Sequence, residues 1–141
     1  MATRLLDWTE SLLVATYFAV IDAGANGPGI VYAAKDVPHV TEPQEKKPFE
    51  IKSVRIYRPQ HITPRIPAQR SVFTIHPDPT KDFKAGSLAK YIIDKSVCGR
   101  IKNILNTCAI NESSLFPDID GLSRYIGWRY KWAKFHEERY D

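Results

Sequence analysis

Residues 9–34 read TESLLVATYFAVIDAGANGPGIVYAA, and this stretch decides the fold class. Thr9 is a suitable N-cap for a helix over residues 10–23, because apolar side chains then recur on one helical face and Gly24 follows as a stop. After a glycine-rich turn, the run 30–34 is short, apolar and begins with β-branched residues, which is typical of a buried strand. A helix followed at once by a strand predicts a mixed α/β fold.

The rest of the chain continues this alternation. β-Branched residues concentrate in 51–56, 71–75 and 88–93, and each run predicts a strand. Apolar residues on one helical face predict two more helices, over 97–108 and from residue 118 into the charged C-terminal end. Together these elements predict an α/β (α+β) single domain, in which a small mixed sheet is flanked by about three helices.

Two segments rich in proline interrupt the pattern. Residues 36–50 combine three prolines with few apolar groups, so we expect an exposed loop there. Residues 57–68 contain Pro59, Pro64 and Pro67, which exclude a continuous helix or a central strand. This second segment is therefore predicted to be irregular.

The composition is that of an ordinary globular domain with one core, at 141 residues, 43% hydrophobic and 26% charged. No apolar run approaches the roughly 20 residues that span a bilayer. The start of the chain does not resemble a signal peptide, because Asp7 and Glu10 occupy the place where a signal peptide is positively charged. The two cysteines, Cys98 and Cys108, are too few for a disulfide framework. We therefore expect a cytoplasmic protein that does not enter a membrane.

The net charge of +4 is modest, but it is spread unevenly. Residues 51–77 contain no Asp or Glu, and a local positive field of this kind suits an anion such as a phosphate group. A nucleic acid is one such partner, because arginine and lysine contact its phosphates and aromatic rings stack on its bases. The cationic and titratable residues of this basic window are Lys52, Arg55, Arg58, His61, Arg65, Arg70 and His76.

The chain lacks a P-loop, a glycine-rich dinucleotide fingerprint, an HExxH motif and a nucleophile elbow. Three dense motifs remain: TRLLDWT at 3–9, RIPAQRSVFT at 65–74 and SLFPDIDGLSRY at 114–125. The last of them predicts a turn and a helix start, with Asp118 or Asp120 as the helix cap rather than as metal ligands.

The first two motifs each have a structural and a functional interpretation. Arg4 and Asp7 are three residues apart in the sequence. Either they form an ion pair at the start of the helix, with Trp8 in the core, or they contact a ligand. Arg65 and Gln69 lie in a segment fixed by prolines, which suits a binding loop.

The three motifs together resemble the FRG domain of bacterial and phage proteins. Members of that family carry a TRLLDWT block, then an R-I-x-x-Q-x-G-x-F pattern, then an L-F-P-D-I/L-D-G-L block. The first and third blocks occur here in full at 3–9 and 115–122, and the second is matched at 65–73 with Ser71 in place of glycine. The resemblance implies that residues 1–141 form the C-terminal majority of an FRG-like module.

The resemblance also bears on activity. The aromatic-Arg-Gly triplet that names the family belongs before TRLLDWT, and this sequence contains no such triplet. The family is similar in outline to ADP-ribosyltransferases, which bind NAD, so the resemblance implies NAD as a candidate ligand. Gln69 stands where such enzymes carry a glutamate, and an amide cannot act as a base. We expect no catalytic turnover from this chain alone.

Two functional hypotheses follow from the resemblance and the charge pattern. In the first, the chain is a nucleotide- or phosphate-binding module of a bacterial or phage system, in defence or counter-defence. In the second, it binds a protein or a nucleic acid through the basic window or the aromatic C-terminal helix, or pairs an exposed sheet edge with a partner protein or a second copy. No catalytic or metal-binding residue is assigned. The candidate ligand-binding residues are Arg4, Asp7, Arg58, His61, Arg65 and Gln69.

Overall fold

The computed structural model describes residues 3–23, 27–60 and 62–137, and within them it confirms the mixed α+β class. These residues form five strands, six α-helices and one 3-10 turn at Pro48–Glu50. None of the helices in these ranges is long and apolar enough to cross a membrane. In chain order the elements are β1 (Leu5–Thr9), α1 (Leu12–Val20), β2 (Gly29–Lys35), α2 (Glu42–Lys46), β3 (Arg55–Tyr57), α3 (Arg65–Ala68), β4 (Ser71–Ile75), β5 (Ser87–Ile93), α4 (Lys95–Thr107), α5 (Glu112–Leu115) and α6 (Ile119–Glu137).

Two antiparallel sheets stand where the sequence predicts one small mixed sheet. The first has the strand order β1-β4-β3, and Asp7 lies opposite Phe73 in its register. The second consists of β2 and β5, paired from Gly29 opposite Ile93 to Lys35 opposite Ser87. Sequence periodicity identifies strands but carries no information on which strands pair, and this explains the difference.

Within the TRLLDWT motif, Leu5–Thr9 form the strand β1, so Thr9 lies in a strand and is not the N-cap that the sequence predicts. Thr9 is held in this strand by pairing with Ser71, and its hydroxyl donates a hydrogen bond to the backbone carbonyl of Gln69 (2.7 Å). The N-cap of α1 is therefore Ser11, whose side chain accepts a hydrogen bond from the backbone N–H of Val14 (3.4 Å).

Both proline-rich segments contain short helical turns. Within residues 36–50, Thr41 and Gln44 form a capping box for α2, and most side chains of the segment are exposed. Within residues 57–68, Pro64 directly precedes the single turn of α3. A proline at the start of a helix removes no helical hydrogen bond, because the first N–H groups have no partner inside the helix.

The hydrophobic core lies where α1 packs against α4 and α5. The hydroxyl of Tyr17 donates to the carboxylate of Glu112, which also accepts a hydrogen bond from Nε of Arg124 (2.6 Å). This network ties α1 to both α5 and α6. The most buried core side chains are Val14, Tyr17, Val20, Cys98, Leu105 and Leu115.

Candidate binding groove

A groove of about 1110 Å³ opens between the two sheets, beside α1. Four consecutive residues of β1, 6–9, and three of β2, 30–32, line it. Successive side chains of a strand point to opposite faces, so consecutive lining residues indicate that the groove runs along the edges of these strands. The walls are largely apolar, and the aromatic residues among them are Trp8, Phe18, Tyr32, Phe73, Phe83 and Phe116.

The edge of β1 that faces away from β4 is free within the described residues, since β1 pairs with β4 alone. The backbone carbonyl of Arg4 accepts a hydrogen bond from the N–H of His76 (2.7 Å). Hydrogen-bonded and non-hydrogen-bonded residue pairs alternate along an antiparallel ladder. The backbone groups of Leu5, Asp7 and Thr9 therefore point away from β4, toward the free edge.

Three of the six candidate ligand residues, Asp7, Arg65 and Gln69, line this groove. Arg65 forms an ion pair with Asp118 (Nη2 to Oδ2, 2.5 Å), and this hydrogen bond lowers the pKa of the Asp118 carboxyl. The side-chain amide of Gln69 donates to the backbone carbonyl of Leu115 (3.0 Å). The groove is thus fixed to both α5 and the start of α6.

Of the other three candidates, Arg4 and Arg58 do not line the groove. Nε of Arg4 donates to the backbone carbonyl of His76 (2.7 Å). Arg58 donates to both carboxylate oxygens of Glu10 (2.7 and 2.5 Å), and this lowers the pKa of Glu10. His61 lies outside the described residues. A ligand-binding role for any of the six residues stays a prediction.

The uncompensated charges of the groove belong to Asp7 and Asp82. In the part of the chain that the structure describes, neither carboxylate makes a hydrogen bond or an ion pair, and both residues are exposed. Arg65 is the cation of the lining, and Asp118 compensates its charge. The groove is therefore apolar, and its unpaired charges are negative. This is the opposite sign to the charge of the basic window.

Sequence patterns did not identify Phe18, Tyr32 or Phe83 as groove residues. One signal was present in α1, whose sequence LLVATYFAV is apolar around most of its circumference. A helix of this kind needs contacts on more than one face. Leu12, Leu13 and Phe18 remain 72%, 45% and 43% exposed, so the face of α1 turned away from the core is open.

A hydrogen-bonded relay holds Trp8 in the groove wall. Nε1 of Trp8 donates to Oγ1 of Thr74 (3.0 Å), which lies 2.9 Å from Nε2 of His76. In the neutral imidazole the tautomer decides the direction of this hydrogen bond: the Thr74 hydroxyl donates to Nε2 when the ring proton is on Nδ1. Burial lowers the pKa of His76 and so favours this neutral form.

We expect the free energy of unfolding to fall as the pH drops below about 6.5, the ordinary pKa of histidine. In this range the unfolded chain binds a proton at His76, whereas the folded chain, with its lowered pKa, does not, so acid favours unfolding. His76 contributes at most about 1.4 kcal/mol per pH unit, down to its folded-state pKa. Urea unfolding followed by tryptophan fluorescence between about pH 5 and 8 measures the slope of the free energy of unfolding against pH. The variant His76→Asn should have a smaller slope, and an identical slope would contradict the prediction.

The FRG domain family matches residues 1–27 of this chain. That stretch contains the TRLLDWT motif together with β1 and α1, so it supplies one wall of the groove. The resemblance is confirmed as a partial one, since the motifs at 65–74 and 114–125 lie outside the matched residues. No curated protein and no solved structure matches the chain.

Proposed function

We propose that this chain, with its partial FRG domain, is a binding module whose groove takes up an extended segment of a partner protein. The observation that supports this most is that two strand edges, those of β1 and β2, flank one apolar groove. A free strand edge offers backbone donors and acceptors with which a strand of another chain pairs. The groove walls would then receive the side chains of that segment.

The amount of exposed surface supports a partner. Ile30, Tyr32 and Leu88, which line the groove, are 40%, 48% and 46% exposed. An open apolar surface of this kind is typical of an interaction site.

The charges of the groove favour a peptide over a phosphate group. Asp7 and Asp82 repel an anion, and Arg65 is already paired with Asp118. The basic window is also partly neutralised, because Arg58 is paired with Glu10. We therefore infer that the groove, rather than the basic window, carries the main function.

A nucleotide such as NAD is the second candidate occupant. The aromatic walls suit stacking against a base, and the Asp7 carboxylate suits the hydroxyl groups of a ribose. With an amide at Gln69 in place of a carboxylate, we propose binding without turnover. The FRG resemblance favours a bacterial or phage setting, in defence or counter-defence, for either occupant.

Selection of random peptides of about nine residues on the purified chain tests this function, since such a length covers the five residues of β1. We expect selected peptides to bind the wild-type chain and to lose at least about tenfold in affinity on Leu88→Asp, because that change puts a charge into the apolar lining. Fluorescence anisotropy of labelled peptides gives the affinities.

Ile104→Asp is the matched control, because Ile104 is 53% exposed, similar to Leu88, but lies on α4 outside the lining. Its peptide affinity should equal that of the wild-type chain. The proposal fails if no selected peptide distinguishes the two variants. If NAD or ATP raises the melting temperature and Leu88→Asp removes that shift, the nucleotide replaces the peptide as occupant.

A further inference from the structure

Resting on the proposed function, we propose that the bound segment extends the sheet as a strand along β1 and sets a lysine or arginine side chain against Asp7. The partner is thereby defined by its chemistry, as an extended stretch of apolar residues interrupted by one basic residue. This specifies the occupant of the groove and the position in the groove that selects it.

The backbone of β1 supplies the first part of the argument. The backbone hydrogen bond between Arg4 and His76 determines which residues of β1 bond to β4. The backbone groups of the alternate residues, Leu5, Asp7 and Thr9, therefore face the free edge. An incoming strand pairs with these groups along β1, apart from the N–H of Leu5, which already donates to Oγ1 of Thr3 (3.2 Å). Its residue opposite Asp7 then projects on the same face of the sheet as Asp7.

Charge supplies the second part. A strand laid along β1 covers the Asp7 carboxylate, which has no hydrogen bond or ion pair among the described residues. Removing an unpaired carboxylate from water is costly unless a cation or donors replace the lost solvent. Asp82 adds a second negative charge to the same lining, and Arg65 is occupied by Asp118. A basic side chain on the incoming strand meets this need.

The same geometry disfavours a second copy of this chain as the occupant. If β1 pairs with β1 of a second copy about a two-fold axis, the residues with outward backbone groups face each other in antiparallel register. The register that uses the whole strand, centred on Asp7, places the two Asp7 carboxylates directly opposite each other. Like charges in that arrangement are destabilising.

The test uses synthetic peptides of about nine residues in which valine and threonine alternate and the central residue is lysine, glutamate or alanine. On the wild-type chain, we expect the lysine peptide to bind at least about tenfold more tightly than the glutamate peptide. Asp7→Lys should reverse this order. Asp7→Asn should bring the two affinities to within about threefold of each other.

Glu45→Lys is the matched control for Asp7→Lys, since it changes the net charge equally at an exposed residue of α2 outside the lining. It should preserve the preference for lysine. As a second readout, hydrogen exchange at the Asp7 amide, followed by NMR, should slow on addition of the lysine peptide, because that amide gains a partner.

Each outcome separates this inference from the proposed function. If peptides bind and are sensitive to Leu88→Asp but lysine and glutamate bind equally, the charge selection is wrong while the binding function stands. Unchanged exchange at the Asp7 amide would refute pairing with β1. If sedimentation shows a dimer that Asp7→Lys disrupts or strengthens, a second copy is the occupant and the inference is wrong. If no peptide binds at all, the proposed function itself fails.

Discussion

Leu115→Ala is expected to lower the free energy of unfolding by about 2–5 kcal/mol. Leu115 is 1% exposed and packs in the core with Val14 and Tyr17, so the change removes buried methyl groups and leaves a cavity. The backbone carbonyl of Leu115 also accepts the hydrogen bond from Gln69 in the groove. The loss of packing should therefore weaken peptide binding as well as stability.

Urea unfolding followed by circular dichroism measures this effect. Leu122→Ala is the matched control, because Leu122 is 49% exposed on α6 and should change the free energy of unfolding by no more than about 0.5 kcal/mol. A loss of less than about 1 kcal/mol for Leu115→Ala would contradict the placement of this residue in a well-packed core.

The elements that the sequence predicted well are those with a strong local pattern. The run 71–75 coincides with β4, and the run 88–93 differs from β5 by one residue. Their β-branched residues favour strands before any tertiary contact forms. The motif at 3–9 has no such pattern, and β1 is a strand because it pairs with β4, more than sixty residues further along the chain. That pairing is not visible in the local sequence.

The groove was only partly predictable, for a related reason. Arg65 and Gln69 were singled out because they lie in a segment fixed by prolines, and Asp7 because a ligand contact was the alternative to an ion pair with Arg4. All three line one groove. Arg58 and Arg65 were expected to face an anion, but Glu10 and Asp118, from distant parts of the chain, compensate their charges. A stretch of sequence without Asp or Glu therefore does not show that its basic residues carry an unpaired charge, because ion pairs form between residues far apart in sequence.

Gly121→Ala is expected to destabilise the chain by about 1–3 kcal/mol, although alanine is the better helix former. Gly121 lies in the first turns of α6, and its N–H donates to Oδ1 of Asp118 (2.8 Å). A Cβ atom at this position would lie 2.0 Å from the carbonyl oxygen of Phe116 and 2.7 Å from its Cβ. Because the first of these contacts is with backbone, the start of α6 must move away from the groove wall.

Gly127→Ala separates this steric effect from helix propensity within the same helix. Among the described residues, no heavy atom apart from the backbone of the same helix turn lies within 4 Å of a Cβ built at Gly127, so alanine there should raise the free energy of unfolding by about 0.5–1 kcal/mol. The two variants should thus shift the midpoint of urea unfolding in opposite directions, while the dependence of the free energy of unfolding on urea concentration stays the same. Phe116 lines the groove and lies under the guanidinium of Arg65, so only Gly121→Ala should also weaken peptide binding. If both variants stabilise the chain, propensity dominates and the close packing of Gly121 against Phe116 is wrong.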